Sequence, residues 1–358
     1  MKEKSILFTN QEKNKNQTSN NIKAFNYGLA LLKSILSFLV VITHNFKSNP
    51  NKNKIIFYIT HIRLRHVPAF FIMSFYFTCN NILSLKVKNV FRRLERLLIP
   101  YIIWPIVVYI INHFFNYIYK TRFLDSLQML KIQFLWGSTI VPQFWFQWNL
   151  IVITLIFFII IFIFRKNYLI ILYSLLIISY VSQYSNYCYN NYYLKLSNYK
   201  KYTISRFFGM LPFAITGFIL GVFGVINRLK EHKIQTLLFS SLIYNILRKY
   251  KIFVHLQEIL YYGINLNLQA ICVIFIFSLF PSHKIQKNYI KTILVYLTNY
   301  SAGVFYLHLS IRDYFQFFFE DIKQGTFLGI IINYFICYII CFFGMLIFGK
   351  TPLKYLFS

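Results

Sequence analysis

Acidic residues are the scarcest feature of this 358-residue chain: Asp and Glu number 9 against 38 Lys and Arg, and charged residues make up only 13%. A soluble domain usually carries about 25% charged residues, so too few remain to cover a water-facing surface. Ligand spacing for metals is missing too. Acids are rare and no His/Cys/Asp cluster recurs at the intervals zinc requires, so no metal is expected. Of the 5 cysteines, Cys79, Cys272, Cys337 and Cys341 fall inside apolar runs, where a thiol acts as a small hydrophobe, and Cys188 lies in a polar loop. No pair has CxxC spacing, which removes zinc-ribbon and thioredoxin-like readings. The first 25 or so residues are polar and Asn/Lys-rich, without the apolar core and small-residue cleavage site of a secretory signal.

What the chain has in abundance is apolar sequence, at 57% hydrophobic and 21% aromatic residues. It comes in runs of about 17 to 22 residues, the length that crosses a hydrocarbon core of roughly 30 Å. The runs are Gly28 to Phe46, Val67 to Leu83, Leu97 to Ile118, Phe144 to Phe164, Tyr168 to Gln183, Arg206 to Ile226, Thr236 to Leu247, Leu266 to Phe280, Thr292 to Ile311 and Phe327 to Phe348. The expected fold is therefore all-α, a polytopic transmembrane helical bundle of about ten spans. Its organisation is a disordered cytoplasmic tail at 1–27, a transmembrane domain at 28–349 and a short cytoplasmic tail at 350–358. The seventh run is the shortest and is followed by Arg248, Lys249 and Lys251. No internal repeat marks a repeat-built transporter.

The formal charge of +29 raises the question of nucleic acid, but the basic residues are scattered over loops and build no single patch, so no nucleic-acid partner is expected. Near anionic headgroups they serve as membrane-lipid contacts. Lys86, Lys88, Arg92, Arg93 and Arg96, then Arg165 and Lys166, then Arg228, Lys230 and Lys233 mark inner loops by the positive-inside rule, with both termini cytoplasmic. The stretch Lys47 to His66, with Lys47, Lys52, Lys54, Arg63 and Arg65, argues the other way.

Ionisable residues inside a span are costly and are candidates for function. Lys33 and His44 lie in the first run, close to three turns and about 16 Å apart along one helix face, with Ser37 on the same face. The ordinary alternative is that Lys33 snorkels to the inner headgroups while His44 sits at the outer boundary. His308 lies deep in the ninth run with Ser301 seven residues before it; it reads either as a catalytic group or as a core histidine bonded to a neighbouring helix. Arg92, Arg93 and Arg96 cluster at the inner end of the third span, where guanidinium forks suit phosphates or anchor the topology. Trp145 and Trp148, in PQFWFQWNL, fit an interfacial aromatic belt.

Taken in order, these segments resemble the acyltransferase-3 family of membrane acyltransferases, which includes O-acetyltransferases acting on cell-surface polysaccharides. The resemblance is carried by LLKSILSFLVVITH (Lys33 to His44), VPAFFIMSFYF, FRRLERLLIPYIIW, QFWFQWNL, MLPFAITGFILG and SAGVFYLHLS, and runs from about Gly28 to Phe348. Ala30 stands where family members often carry an acid, Lys33 where Arg is common, and Phe75 where Gly usually follows Ser.

The resemblance implies a multi-pass enzyme of a bacterial cell (plasma) membrane. It would move an acyl group, usually acetyl, from acyl-CoA to a hydroxyl of a cell-surface glycan or lipid-linked sugar. Acyl-CoA (acetyl-CoA in the usual case) is then a co-substrate and no cofactor stays bound. His44 is expected as the general base, since imidazole titrates near the operating pH. Lys33, Arg92, Arg93 and Arg96 are expected to bind the donor, and His308, Ser301 and Trp145 to orient the acceptor. The competing classes are a glycan exporter, which moves glycan without acyl-CoA, and an inactive membrane subunit.

Overall fold

The structure, a computed structural model, describes residues 26–45, 66–120, 126–137, 140–193, 199–249, 264–280, 288–318 and 327–358. Residues 1–25, residues 46–65 and the side chain of Cys188 lie outside the described residues. Helices α1 (Tyr27–Asn45), α2 (His66–Leu83) and α3 (Val87–Tyr119) come first, followed by a short α4 (Leu127–Trp136). After a 3-10 turn at Pro142–Phe144 come α5 (Trp145–Phe164), α6 (Tyr168–Tyr193), α7 (Tyr199–Val222), the single-turn α8 (Val225–Leu229) and α9 (Lys233–Lys249). The chain closes with α10 (Ile264–Ser278), α11 (Asn288–Phe318), α12 (Phe327–Phe348) and a terminal 3-10 turn, Pro352–Leu356. No strand occurs among the described residues.

The expected spans each fall largely on one helix. A helix is the open-chain conformation that satisfies every backbone N–H and C=O without water, so a long apolar run in lipid has little alternative. By length and composition 5 stretches are apolar enough to cross a membrane: Tyr27–His44, Val87–Tyr119, Pro142–Phe164, Ser205–Val222 and Leu328–Phe348. Tyr168–Ser182 and Ile264–Ser278 are shorter apolar helices. The outer faces agree with lipid as solvent. Ile102, Ile106 and Ile110 recur at i, i+4 on the exposed side of α3, as do Phe335, Ile339 and Phe343 on α12, where a soluble bundle would present charge.

Two departures from the sequence reading concern α3 and α4. Helix α3 starts at Val87, ten residues before the expected span at Leu97, because Arg92, Arg93, Leu94, Glu95 and Arg96 are good helix formers and charge ends a hydropathic run without ending a helix. Helix α4 was not expected; at 10 residues it is too short to cross. Gly137 ends it with a positive φ of 74°, its N–H donating to Gln133 O at 2.7 Å, as a left-handed cap requires.

Three relationships set the frame. Helices α1 and α11 run parallel: Thr298 Oγ1 donates to Ala30 O at 3.2 Å and Arg312 Nη1 to His44 O at 2.8 Å, each across 268 residues of sequence, so the register stays constant over two heptads. Helices α2 and α7 also run parallel. Gly217 lies against the Ile72 backbone and Gly221 against Tyr76 and Cys79, the small-residue contact by which membrane helices approach closely. Helix α12 runs antiparallel to α11, with Tyr338 Oη donating to Leu297 O at 2.9 Å and Asn333 Nδ2 to His308 O at 3.1 Å. The C-terminal residues, expected as a tail, fold back on the bundle. Trp104 Nε1 donates to Leu356 O at 3.1 Å, and the Phe357 ring packs edge-on to Trp104 and stacks on Phe348, both at 5.9 Å.

Candidate active site

The parallel register of α1 and α11 carries the last turn of α1 to the last third of α11, and there the rings of His44 and His308 lie 5.2 Å apart between centroids, tilted by 43°. Their surroundings differ. His308 is fully buried, whereas His44 is exposed at the end of its helix. His308 Nδ1 sits 2.8 Å from Phe305 O and 3.3 Å from Val304 O. Carbonyl oxygens only accept, so these contacts assign the ring proton to Nδ1 and leave Nε2 as the lone-pair nitrogen. That Nε2 is buried and meets no hydrogen-bond partner among the described residues. The His308 backbone is held in turn by Asn333, whose Oδ1 receives the Cys337 thiol at 3.4 Å.

Aromatic side chains wall the pair. Phe305 lies 5.9 Å from the His308 ring and 5.0 Å from Phe146, which meets Phe71 at 4.7 Å. Helices α2, α5 and α11 thus close one side of the site with apolar rings, which exclude water.

Two arginines join the histidines, and the sequence reading assigned neither to the site. The charges of Arg312 and Arg206 both act on the His44 ring. Arg312 is salt-bridged to Asp313 at 2.6 Å, and the Arg206 guanidinium stands 4.2 Å over the Trp145 ring. This close cation–π contact covers one face of the expected acceptor residue Trp145. A signal for Arg312 was present: it lies four residues after His308 and shares its helix face. Arg206 opens an apolar run, where its charge marks a boundary.

Lys33 and Ser301 are brought together, but to each other and away from the histidines. Lys33 Nζ donates to Thr298 O at 3.1 Å and Ser301 Oγ donates to the same oxygen at 2.7 Å. The ammonium is therefore bonded inside the bundle. Beside it Ser37 Oγ lies 3.5 Å from Tyr334 Oη, which donates to Tyr338 Oη at 3.2 Å. Lys33 and His44 do share the face of α1 that meets α11, the former in its first half and the latter at its end.

The three arginines of α3 do not behave as one cluster. Arg93 reaches into the bundle, with Nε donating to Thr154 Oγ1 at 2.9 Å, Nη1 to Ser74 O at 3.4 Å and Nη2 to Ser74 Oγ at 3.1 Å. Its guanidinium lies 5.0 Å from the ring of Phe75, the residue after Ser74. Arg93 thus ties α2, α3 and α5 together. Arg92 and Arg96 are exposed, Arg96 with its guanidinium 5.6 Å from the Tyr355 ring of the C-terminal turn. That turn follows α12, whose last residues lie on the side of α1's beginning, opposite His44.

A further buried polar row lines α5. Tyr306 Oη donates to Gln147 Oε1 at 3.1 Å, Gln147 Nε2 to Leu97 O at 2.9 Å and Gln143 Nε2 to Tyr306 O at 2.8 Å. These bonds fix α3, α5 and α11 around the chain segment that bears His308. Among the described residues no three His, Cys, Asp or Glu side chains gather at metal-binding distance.

No curated protein and no solved structure matches the chain. The sequence profile of the acyltransferase domain of the acyltransferase-3 family matches residues 26–350, a range that takes in α1 through α12 and both histidines. The apolar bundle, the basic residue and histidine on α1 and a match over nearly the whole chain lead to one assignment: this protein belongs to the acyltransferase-3 family and is an acyltransferase of the membrane.

Proposed function

We propose that the enzyme takes an acyl group, acetyl in the usual case, from acyl-CoA at the cytoplasmic face and passes it to a hydroxyl of a cell-surface glycan or lipid-linked sugar. The observation that carries this reading is the His44–His308 pair, one imidazole exposed and one buried with its tautomer fixed. A hydroxyl is a weak nucleophile and needs a base within hydrogen-bond reach. His44 takes the hydroxyl proton as the oxygen attacks the thioester carbonyl; the C–S bond then breaks, and the CoA thiolate leaves and receives the proton. His308 Nε2 accepts a hydrogen bond from the acceptor and orients it, with Trp145 bordering the acceptor side.

On the donor side, Arg92 and Arg96 are the exposed guanidiniums suited to the phosphates of CoA. Arg93 holds the helix that carries them, while Lys33 and Ser301 brace α1 on α11 along the path between donor and histidines. The protein crosses a bacterial plasma membrane ten times with both termini cytoplasmic. Support comes from parity: were α9 not a crossing, α11 would run opposite to α1, whereas the two share a parallel register.

The test is transfer of label from acyl-CoA to glycan in membranes with wild-type protein and with His44→Ala, paired with mass spectrometry of the surface glycan. Acyl transfer that needs both acyl-CoA and His44 supports the reading. Glycan export that proceeds without acyl-CoA would replace it with the transporter class.

A further inference from the structure

Arg312 stands one helical turn beyond His308 on α11, and its guanidinium makes two kinds of contact at once. Nη1 donates to the backbone oxygen of His44 at 2.8 Å. Nε and Nη2 grip Asp313 Oδ1 at 2.8 and 2.6 Å. His44 is the next-to-last residue of α1, so its carbonyl belongs to the final turn, where the helix itself supplies no N–H donor. A cationic side chain at that end both donates to the orphan carbonyl and complements the negative pole of the helix. The donor here comes from another helix, and it is the helix that bears His308.

We propose that Arg312 is a positioning residue: its guanidinium, oriented by Asp313, clamps the last turn of α1 onto α11 and thereby holds the His44 ring against His308. The proposal rests on the reading of His44 as the base. A planar fork suits the task, because one edge engages Asp313 while the remaining nitrogen reaches the carbonyl; a lysine offers a point charge and cannot span both with the same geometry. Without the clamp the final turn of α1 frays, and the base drifts from its working position. Misplacement of a catalytic group by about 1 Å costs rate by up to about 10²-fold. The expected signature is therefore in turnover and not in donor binding, since the phosphate-binding arginines lie at the other side of the bundle.

The experiment measures kcat and donor KM for labelled acyl-CoA in membranes, with protein amounts equalised, for wild type, Arg312→Ala, Arg312→Lys, Asp313→Asn and His44→Ala. Arg312→Ala should lose roughly 10- to 100-fold in kcat with an unchanged donor KM, and millimolar guanidinium should restore part of that loss. Arg312→Lys and Asp313→Asn should fall between wild type and Arg312→Ala. If Arg312→Ala does not insert, the Lys and Asn variants decide, because both keep a side chain of similar size. Wild-type turnover in the Arg312 and Asp313 variants beside an inactive His44→Ala overturns the positioning role alone. Wild-type turnover in His44→Ala overturns the base assignment and with it any catalytic consequence of the clamp. A loss in Arg312→Ala that guanidinium does not relieve, accompanied by a raised donor KM, also overturns the proposal, since it assigns Arg312 to the donor.

Discussion

His44 and His308 meet ring to ring at 5.2 Å although they stand on α1 and α11, far apart in the chain. The meeting depends on α1 and α11 running parallel in constant register. It also sets the two rings apart, because His308 has one nitrogen committed to backbone carbonyls and its Nε2 meets no hydrogen-bond partner among the described residues.

The division can be tested by shape. His44→Ala should insert normally and lose roughly 10²- to 10⁴-fold in acyl-transfer rate, the usual contribution of a positioned acid or base. At position 308, Asn imitates Nδ1–H and Gln reaches the Nε2 position. His308→Asn should fold and lose at least about tenfold in rate, while His308→Gln should lose less. Equal wild-type rates in labelled acyl-CoA assays of both variants would make His308 a packing residue.

The arginines of α3 should separate into two classes. Arg93→Ala deletes three hydrogen bonds that join α2, α3 and α5, and should cost about 1.5–3 kcal/mol, as loss of charge-assisted bonds does. A lowered Tm in detergent checks it. Arg92→Ala and Arg96→Ala should leave Tm unchanged and raise donor KM severalfold. A lowered Tm in all three with constant donor KM would return the whole group to anchoring.

At the α2–α7 contact, Gly217→Ala drives a methyl into the Ile72 backbone, which cannot yield as a side-chain end would. The expected cost is about 1–3 kcal/mol, read as a drop in Tm. Gly224→Ala is the control. Open space surrounds that position, and only its positive φ of 58° opposes the substitution, for about 1 kcal/mol.

Topology makes a prediction of its own. A reporter fused after Ser358 should be active only on the cytoplasmic side. Cysteine introduced at Glu231 should be labelled from that side, and cysteine in the 250–263 segment from outside. Labelling of both loops from one side would remove α9 as a crossing and invert α10 relative to the count of ten.

Much of this was legible in the sequence, for identifiable reasons. The expected span Phe327 to Phe348 matches α12 end to end, and Val67 to Leu83 matches α2 to within one residue, because lipid selects apolar length directly. The basic start of α3 was lost since hydropathy registers charge where a helix registers propensity. His44 and His308 were each visible through the cost of an ionisable group in lipid, but not their pairing, which needs the relative direction of helices 268 residues apart in register. Arg206 and Arg312 stand at span ends. At such ends an arginine that merely anchors and one that reaches inward look alike in sequence.

The Lys33 contact also constrains the order of biosynthesis. The oxygen that receives its ammonium belongs to Thr298, 265 residues further along the chain. At ~5–20 residues per second that acceptor leaves the ribosome roughly 15–50 s after Lys33 does. During this interval the newborn first helix carries an unmatched charge toward the bilayer. Until α11 arrives the ammonium lacks this acceptor, and its flexible stem must carry it toward the headgroups, so α1 rides high in the membrane. Its final depth is set when the ninth apolar segment slides in beside it, so a ribosome stalled between those two helices leaves a first span that is inserted yet not seated.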